Sequence, residues 1–190
     1  MRSIIQLILL IALSLASAGP IDHWSVGNII ISKPDIRFRV DIYSPTTPGS
    51  YPVLIFLTGL AGLVPSTVYT SLVTSIAEQN VILVGISKIE NIKPEKMSVH
   101  IGNFLEWAMK PNDGITRLFA EHKQVREVHA NLERLAFLTH SSAAHSLGQY
   151  MNSTCGPIKL IIMMNPVDGI DPFGIVKDFI TRMARMCSSS

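Results

Sequence analysis

One serine in this sequence stands where it could act as a nucleophile. Ser141 follows the apolar run Leu135 to Leu138, and the small residues after it begin a helix-like stretch that ends near Met151. A tight turn between a buried strand and a helix lifts a serine hydroxyl above the sheet, where it can attack a carbonyl group. Such a turn favours small residues two positions before and two after the serine, and these positions hold Thr139 and Ala143.

The elements that must position this serine begin with two continuous apolar runs. Tyr51 to Leu57 and Val81 to Ile86 are both typical of strands that are buried on two faces. Between them, Thr67 to Gln79 carries apolar residues at helical spacing. A strand, a helix and a strand in this order form the unit of a parallel sheet, so we predict an α/β fold.

The remaining pattern predicts further elements on both sides of this unit. Val26 to Ser32 and Arg37 to Ser44 are expected to pair as an antiparallel edge. Later elements are a helix from Pro94 that ends before Pro111, a solvated helix or loop over Asn112 to Arg134, a strand over Pro157 to Met164, a loop over Asn165 to Pro172 and an amphipathic helix over Phe173 to Met186.

Composition limits the classes of protein to consider. The 190 residues are 47% hydrophobic and 16% charged, which suits one globular domain, here residues 19–190. A net charge of +2 with no basic run gives no reason to expect nucleic acid. No internal apolar stretch is long enough for a stable membrane span, and no metal or cofactor is predicted.

The first 18 residues have the pattern of a signal peptide. Arg2 precedes an apolar segment from Ile4 to Leu15, and Ala16-Ser17-Ala18 supplies small residues at the spacing a signal peptidase needs. We predict cleavage after Ala18 and a secreted chain. The alternative is an uncleaved anchor, which the short apolar run disfavours.

Secretion would give meaning to two further features. Cys155 and Cys187 could pair in an oxidising compartment, although two free thiols or an intermolecular bridge are also compatible with their spacing. The sequon that begins at Asn152 predicts a surface glycan just past the helix after the serine turn.

Four features together resemble a known family. They are the strand ending in Phe56-Leu57-Thr58-Gly59-Leu60, the helix with Tyr69, the strand Val81 to Ile86 and the serine turn. They resemble the chlorophyllase-like group of α/β-hydrolases and, more distantly, the platelet-activating-factor acetylhydrolases and cutinase-like esterases. The likeness runs from Asn28 to Gly169 and includes Asn165-Pro166-Val167-Asp168-Gly169. It implies a three-layer α/β-hydrolase-type fold whose mostly parallel sheet is flanked by helices.

The resemblance also implies a reaction. The family hydrolyses carboxylic esters with a serine, a histidine and an aspartate. Ser141 would be the nucleophile, and the backbone N–H groups of Leu60 and Ser142 would form the oxyanion hole. The substrate would be a lipophilic ester.

The acid and the base follow the family pattern less closely. The acid position falls at Asn165, so Asp168, three residues on, is the preferred acid and Asp171 the alternative. The family's base follows the last strand, and no histidine occurs after His145. We expect His140 to point away from the serine and His145 to pack under the turn. The other histidines are expected to be ordinary surface or core residues: His23, His100, His122 and His129.

Three hypotheses remain. The first is a secreted serine esterase. The second is a catalytically inactive hydrolase-fold protein that binds a hydrophobic ligand or a protein partner. The family's last two strands are expected to be missing, so the strand ending at Met164 would present an apolar edge. Either the amphipathic segment Phe173 to Met186 or such a partner could cover this edge. The third is a fragment that does not fold stably.

Overall fold

The computed structural model of the protein describes residues 19–30, 37–88, 94–154 and 156–166. The predicted signal peptide and the predicted helix over residues 173–186 lie outside these ranges. Cys155, Cys187, Asp168 and Asp171 also lie outside them, so what was predicted for each stays a prediction.

A six-stranded sheet with the order β1-β2-β4-β3-β5-β6 forms the centre of the molecule. Its strands are β1 (Ile21–Ile30), β2 (Arg37–Pro45), β3 (Gly49–Leu57), β4 (Ile82–Lys88), β5 (Val128–His140) and β6 (Leu160–Met164). Strands β3 to β6 run parallel to one another, whereas β2 is antiparallel to both β1 and β4. The predicted mostly parallel sheet with an antiparallel edge is confirmed.

Five helices and two 3-10 turns connect these strands in the part of the chain that the structure describes. The helices are α1 (Gly59–Gly62), α2 (Thr70–Ala77), α3 (Pro94–Ala108), α4 (Ile115–Glu121) and α5 (Ala143–Ser153), and the 3-10 turns are Ser66–Tyr69 and Lys123–Val125. The helical pattern over residues 67–79 falls on two elements, the first 3-10 turn and α2. Tyr69 has φ −101° and ψ 21°, outside the α-helical region, and separates the first 3-10 turn from α2.

The central strands are buried on both faces, which explains their uninterrupted apolar sequence. Along β3, Val53, Ile55 and Leu57 pack toward α3, α4 and α5, while Leu54 and Phe56 pack toward α2 on the opposite face. Burying a large apolar side chain stabilises the fold by about 1.5–3 kcal/mol. Helices therefore cover the sheet on both sides, as predicted for a three-layer architecture.

Strand β5 is longer than its sequence suggested. We predicted a solvated helix or loop through Arg134, but the strand begins at Val128 and pairs with the start of β3. Residues 132–134 interrupt the ladder, because Pro52 pairs with Asn131 and the next residue, Val53, pairs with Leu135. The interruption is an irregularity of the bulge type, and it places the charged Glu133 and Arg134 where they are exposed.

The parallel strands bring the candidate chemical groups to one edge of the sheet. Leu57 ends β3 and lies in register with Thr139 of β5, so Thr58 to Gly62 and Ser141 leave neighbouring strands at the same edge. Ligands of open α/β sheets bind at these carboxyl ends.

Candidate active site

Ser141 occupies a sharp turn between β5 and α5. Its φ is +56°, a left-handed conformation that side chains disfavour. The Ser141 N–H donates to the Met164 carbonyl of β6 at 3.1 Å, and the Ala144 N–H donates to the Ser141 carbonyl at 3.1 Å. The predicted succession of strand, turn and helix is present, and hydrogen bonds fix the turn on both sides.

The residues around this turn are crowded. Thr139 is completely buried, and Ala143 is buried in the core that α5 covers. Among the described residues, the Thr139 hydroxyl has no hydrogen-bond partner. An unsatisfied buried hydroxyl costs about 1–3 kcal/mol. The turn keeps its shape despite this cost, and without glycine residues, which would relieve its strain.

The second candidate element is the turn that opens α1. Leu60 is the second residue of this short helix, and its φ is +51°. The N–H groups of a first helical turn have no acceptor within the helix, so they are available to groups outside it. Helix α1 contacts α5, which Ser142 caps at its amino end. The two predicted oxyanion donors therefore belong to turns whose helices touch.

Direct contacts join these two turns. A side-chain carbon at Gly59 would lie 2.8 Å from His140 Nδ1 and 3.0 Å from the Tyr69 hydroxyl, so there is room only for glycine. The Tyr69 hydroxyl accepts a hydrogen bond from the Gly59 N–H at 3.3 Å and lies 2.8 Å from His140 Nδ1. Sequence reasoning assigned no role to Tyr69, because 71 residues separate it from His140.

The described histidines make their contacts away from Ser141. His140 contacts Tyr69, and His145 lies half-buried on α5 with Nε2 2.9 Å from Gln149 Nε2. The others lie elsewhere: His122 binds Asp22, His23 stacks on Tyr43, His100 is buried on α3, and His129 is exposed on β5. Among the described residues, no histidine hydrogen-bonds the Ser141 hydroxyl.

The family's acid position lies directly beside the serine turn. Met164 pairs with His140, so Asn165 leaves β6 next to the point where Ser141 leaves β5. Asn165 is exposed and has φ +41°. Its amide cannot supply the negative charge that holds an imidazolium in a catalytic triad.

Two other predicted or possible sites lie apart from this edge. Asn152 is exposed, but it lies inside the last turn of α5 rather than past the helix as predicted. The helix ends at Ser153, two residues further than its apolar pattern indicated. A groove lined by Tyr51, Asn80 and Arg134 opens at the amino ends of the strands, so it cannot receive a group that reacts at Ser141.

No helix in the described ranges is long and apolar enough to cross a membrane. Within those same ranges, no three His, Cys, Asp or Glu side chains come together as metal ligands would.

The sheet and its serine turn define an α/β-hydrolase fold. Similar solved structures include one described in a study of two fungal esterases from Rhizomucor miehei, with 13% identity, a TM-score of 0.58, and coverage of 81% of this chain and 47% of the other. Another is the α/β-hydrolase GrgF from Penicillium sp. sh18, with 11% identity, a TM-score of 0.53, and coverage of 77% and 46%. The chain thus spans about half the length of these structures.

The sequence pattern of the chlorophyllase family matches residues 25–178, which is most of the chain. The chain belongs to this family, as its motifs predicted. No curated protein sequence matches it.

Proposed function

We propose that this chain carries the nucleophile and the oxyanion-binding part of a carboxylic-ester hydrolase, with Ser141 as the nucleophile. The observation that supports this most strongly is the backbone of Leu60 and Ser141, which have φ values of 51° and 56° on neighbouring turns. Sparsely populated conformations of this kind cost about 1–3 kcal/mol each. They are concentrated at active sites, where the surrounding structure holds a geometry that the chemistry needs.

The proposed reaction follows from the positions of these groups. The Ser141 oxygen attacks the ester carbonyl while a base removes its proton, and the carbonyl oxygen becomes an oxyanion that accepts hydrogen bonds from the Leu60 and Ser142 N–H groups. Collapse of this intermediate expels the alcohol, which takes the proton, and leaves an acyl-serine. Water then releases the carboxylic acid.

The base and the acid are the open parts of this proposal. All six histidines of the sequence lie in the described ranges, and none hydrogen-bonds Ser141. The proposal therefore assigns the role of base to no particular histidine. Asp168 stays the proposed acid.

The substrate is proposed to be a lipophilic ester. The Leu60 side chain is 63% exposed beside its own N–H group, so it offers apolar surface next to the place proposed for the carbonyl oxygen. Secretion is proposed on the sequence alone, from Arg2, the apolar segment after it and the small residues that end at Ala18.

The test is site-resolved labelling with an alkyl fluorophosphonate. A site that lacks a triad member still retains about 10³-fold to 10⁴-fold catalysis from its oxyanion hole and binding. We therefore expect the probe to modify Ser141 about 10³ times faster than an exposed serine such as Ser75 on α2. Peptide mass spectrometry over time measures both rates.

Two variants control this experiment. Ser141→Ala should abolish the fast modification, whereas Ser75→Ala, an exposed serine far along the chain, should leave it unchanged. Modification spread evenly over surface serines, or equally fast in Ser141→Ala, would contradict the proposal.

A second candidate is a hydrolase-fold protein that binds without turnover. Asn165 at the acid position favours it, as do the exposed Leu160 and Ile162 on β6, the outermost strand of the described sheet. Such a protein would take a hydrophobic ligand at the serine edge or a protein partner along β6. In this case p-nitrophenyl butyrate gives no burst of p-nitrophenolate, whereas an acylating Ser141 gives a burst that Ser141→Ala lacks.

A further inference from the structure

The hydroxyl of Tyr69 sits between the two turns that carry the proposed oxyanion donors. It accepts from the N–H of Gly59, the residue before Leu60, at 3.3 Å. It lies 2.8 Å from Nδ1 of His140, the residue before Ser141. One oxygen atom therefore links the backbone of the α1 turn to the end of β5.

Packing around Tyr69 leaves little freedom in this link. Its ring meets Phe56 edge-on, with centroids 5.0 Å apart, and meets His140 in a similar arrangement at 5.4 Å. A Cβ at Gly59 would come within 3.0 Å of the hydroxyl and within 2.8 Å of the imidazole. The His140 and Tyr69 side chains thus leave no room for a side chain at Gly59.

Tyr69 is anchored to the sheet independently of both turns. It ends the 3-10 turn that begins at Ser66, whose buried hydroxyl donates to the Asp41 carboxylate of β2. Asp41 is completely buried and also accepts from the Ser25 hydroxyl and from Arg39 Nε, the latter at 3.0 Å. A charge-assisted network of this kind holds its members more firmly than neutral hydrogen bonds do.

The Tyr69 hydroxyl can accept one hydrogen bond and donate another at the same time. The Tyr69 oxygen accepts from the Gly59 N–H, and the one hydrogen of the phenol can be donated to His140 Nδ1, 2.8 Å away. With the bond in this direction Nδ1 is the acceptor, and the imidazole proton resides on Nε2.

We propose that Tyr69 is a positioning residue that sets the separation between the Leu60 N–H and the Ser141 hydroxyl. The inference rests on the proposed function of Ser141. Tyr69 touches neither substrate nor reacting atoms. It acts through Gly59 and His140, which precede the two residues that do.

The test compares Tyr69→Phe with Tyr51→Phe in the fluorophosphonate reaction. Each variant removes one phenol oxygen. The Tyr69 oxygen makes two hydrogen bonds, to Gly59 and His140, whereas the Tyr51 hydroxyl donates to the Thr47 carbonyl near the start of β3, far from Ser141. A small misplacement of reacting groups costs up to about 10²-fold in rate. We expect Tyr69→Phe to lower the maximal rate of Ser141 modification about tenfold or more, with the probe's half-saturation concentration unchanged, and Tyr51→Phe to leave both unchanged.

The outcomes separate this inference from the proposed function. If the probe modifies Ser141 rapidly in the wild-type chain and at the same maximal rate in Tyr69→Phe, the positioning role is excluded and the proposed function stands. If the wild-type chain shows no selective modification of Ser141, the proposed function fails and the inference fails with it. A fall in maximal rate that appears equally in Tyr51→Phe would also exclude the positioning role.

A second measurement does not depend on reactivity. In chain labelled with ¹⁵N-histidine, NMR at a pH where His140 is neutral should show its Nε2–H tautomer, and Tyr69→Phe should change this to a mixture. A His140 tautomer ratio that is the same in the wild-type chain and in Tyr69→Phe would overturn the link between Tyr69 and His140.

Discussion

At Ser141, the backbone holds a left-handed conformation although the neighbouring positions are filled by side chains. Its φ is +56°, while Thr139 and Ala143 are both buried at positions where such a turn favours small residues. A left-handed conformation costs an ordinary residue about 1–2 kcal/mol. The turn persists because the surrounding structure stabilises it, through hydrogen bonds to Met164 and Ala144 and through the packing of α5.

A pair of substitutions measures this strain directly. Ser141→Gly and Ser141→Ala both remove the hydroxyl, but only glycine adopts positive φ without steric cost. We expect Ser141→Gly to be more stable than Ser141→Ala by about 1 kcal/mol, since the relief of strain outweighs the greater freedom of glycine in the unfolded chain. Urea unfolding measures the difference. Equal stability, or a more stable alanine variant, would show that the turn is not strained.

Sequence reasoning located this turn but not its surroundings. The apolar run, the small residues and the serine are local, so their order predicted the strand, the turn and the helix. The contact of Tyr69 with His140 joins residues 71 positions apart, and no local pattern encodes it. Thr139 is a second example of what the sequence could not predict. Its position beside the serine indicated a crowded turn, but the lack of a partner for its buried hydroxyl depends on the tertiary structure.

At the scale of elements, the packing of the first 3-10 turn against β4 determines where Tyr69 lies. Ser66 sits directly over Gly85, where an added Cβ would lie 2.5 Å from Ser66 Cβ and 2.7 Å from its hydroxyl. Gly85 also pairs with Asp41 on the neighbouring strand, so a side chain there would disturb the turn and its anchor together.

Gly85→Ala should therefore destabilise the protein by about 1–3 kcal/mol, the usual cost of overpacking a core. Gly102→Ala is the matched control because its Cβ would lie 3.4 Å from the Tyr150 ring, an ordinary contact, inside α3. In a helix interior this exchange gains about 0.5–1 kcal/mol. Thermal unfolding should thus shift in opposite directions for the two variants. A Gly85→Ala protein as stable as wild type would rule out the close packing of Ser66 on β4.

Elements were predicted well where burial alone determines them. The runs that became β3 and β4 are apolar throughout and leave no alternative to a central strand. The start of β5 was missed because Glu133 and Arg134 interrupt its pattern, and they do so because residues 132–134 leave the ladder. The helix over residues 67–79 was divided by Tyr69, whose backbone conformation local spacing does not reveal.

At the scale of the whole molecule, a titratable group inside the fold couples its stability to alkaline pH. Burial raises the pKa of the Tyr43 phenol above its ordinary value of 10.0, and the nearby Asp41 charge raises it further. In the unfolded chain a tyrosine titrates near pH 10. Between these two pKa values the unfolded chain releases a proton that the folded protein keeps, so stability present below pH 10 is lost as the pH rises.

The free energy of unfolding should therefore decrease above about pH 10, by up to about 1.4 kcal/mol per pH unit for each proton that differs. Tyr43→Phe keeps the ring but cannot titrate, so its curve should be flatter in this range and parallel to wild type between pH 7 and 9. Urea unfolding across pH 7 to 11.5 tests this. Parallel curves above pH 10 would show that Tyr43 does not couple folding to pH.

The central claim is geometric: the Ser141 hydroxyl and the N–H groups of Leu60 and Ser142 face the same position at the carboxyl edge of β3 and β5. The most direct measurement is a crystal structure of the chain after reaction with an alkyl fluorophosphonate. The account predicts a phosphorus atom bonded to Ser141 Oγ, with a phosphoryl oxygen within about 2.7–3.1 Å of both N–H groups. A phosphoryl oxygen that faces solvent, or a Leu60 N–H that points away from it, would contradict the account.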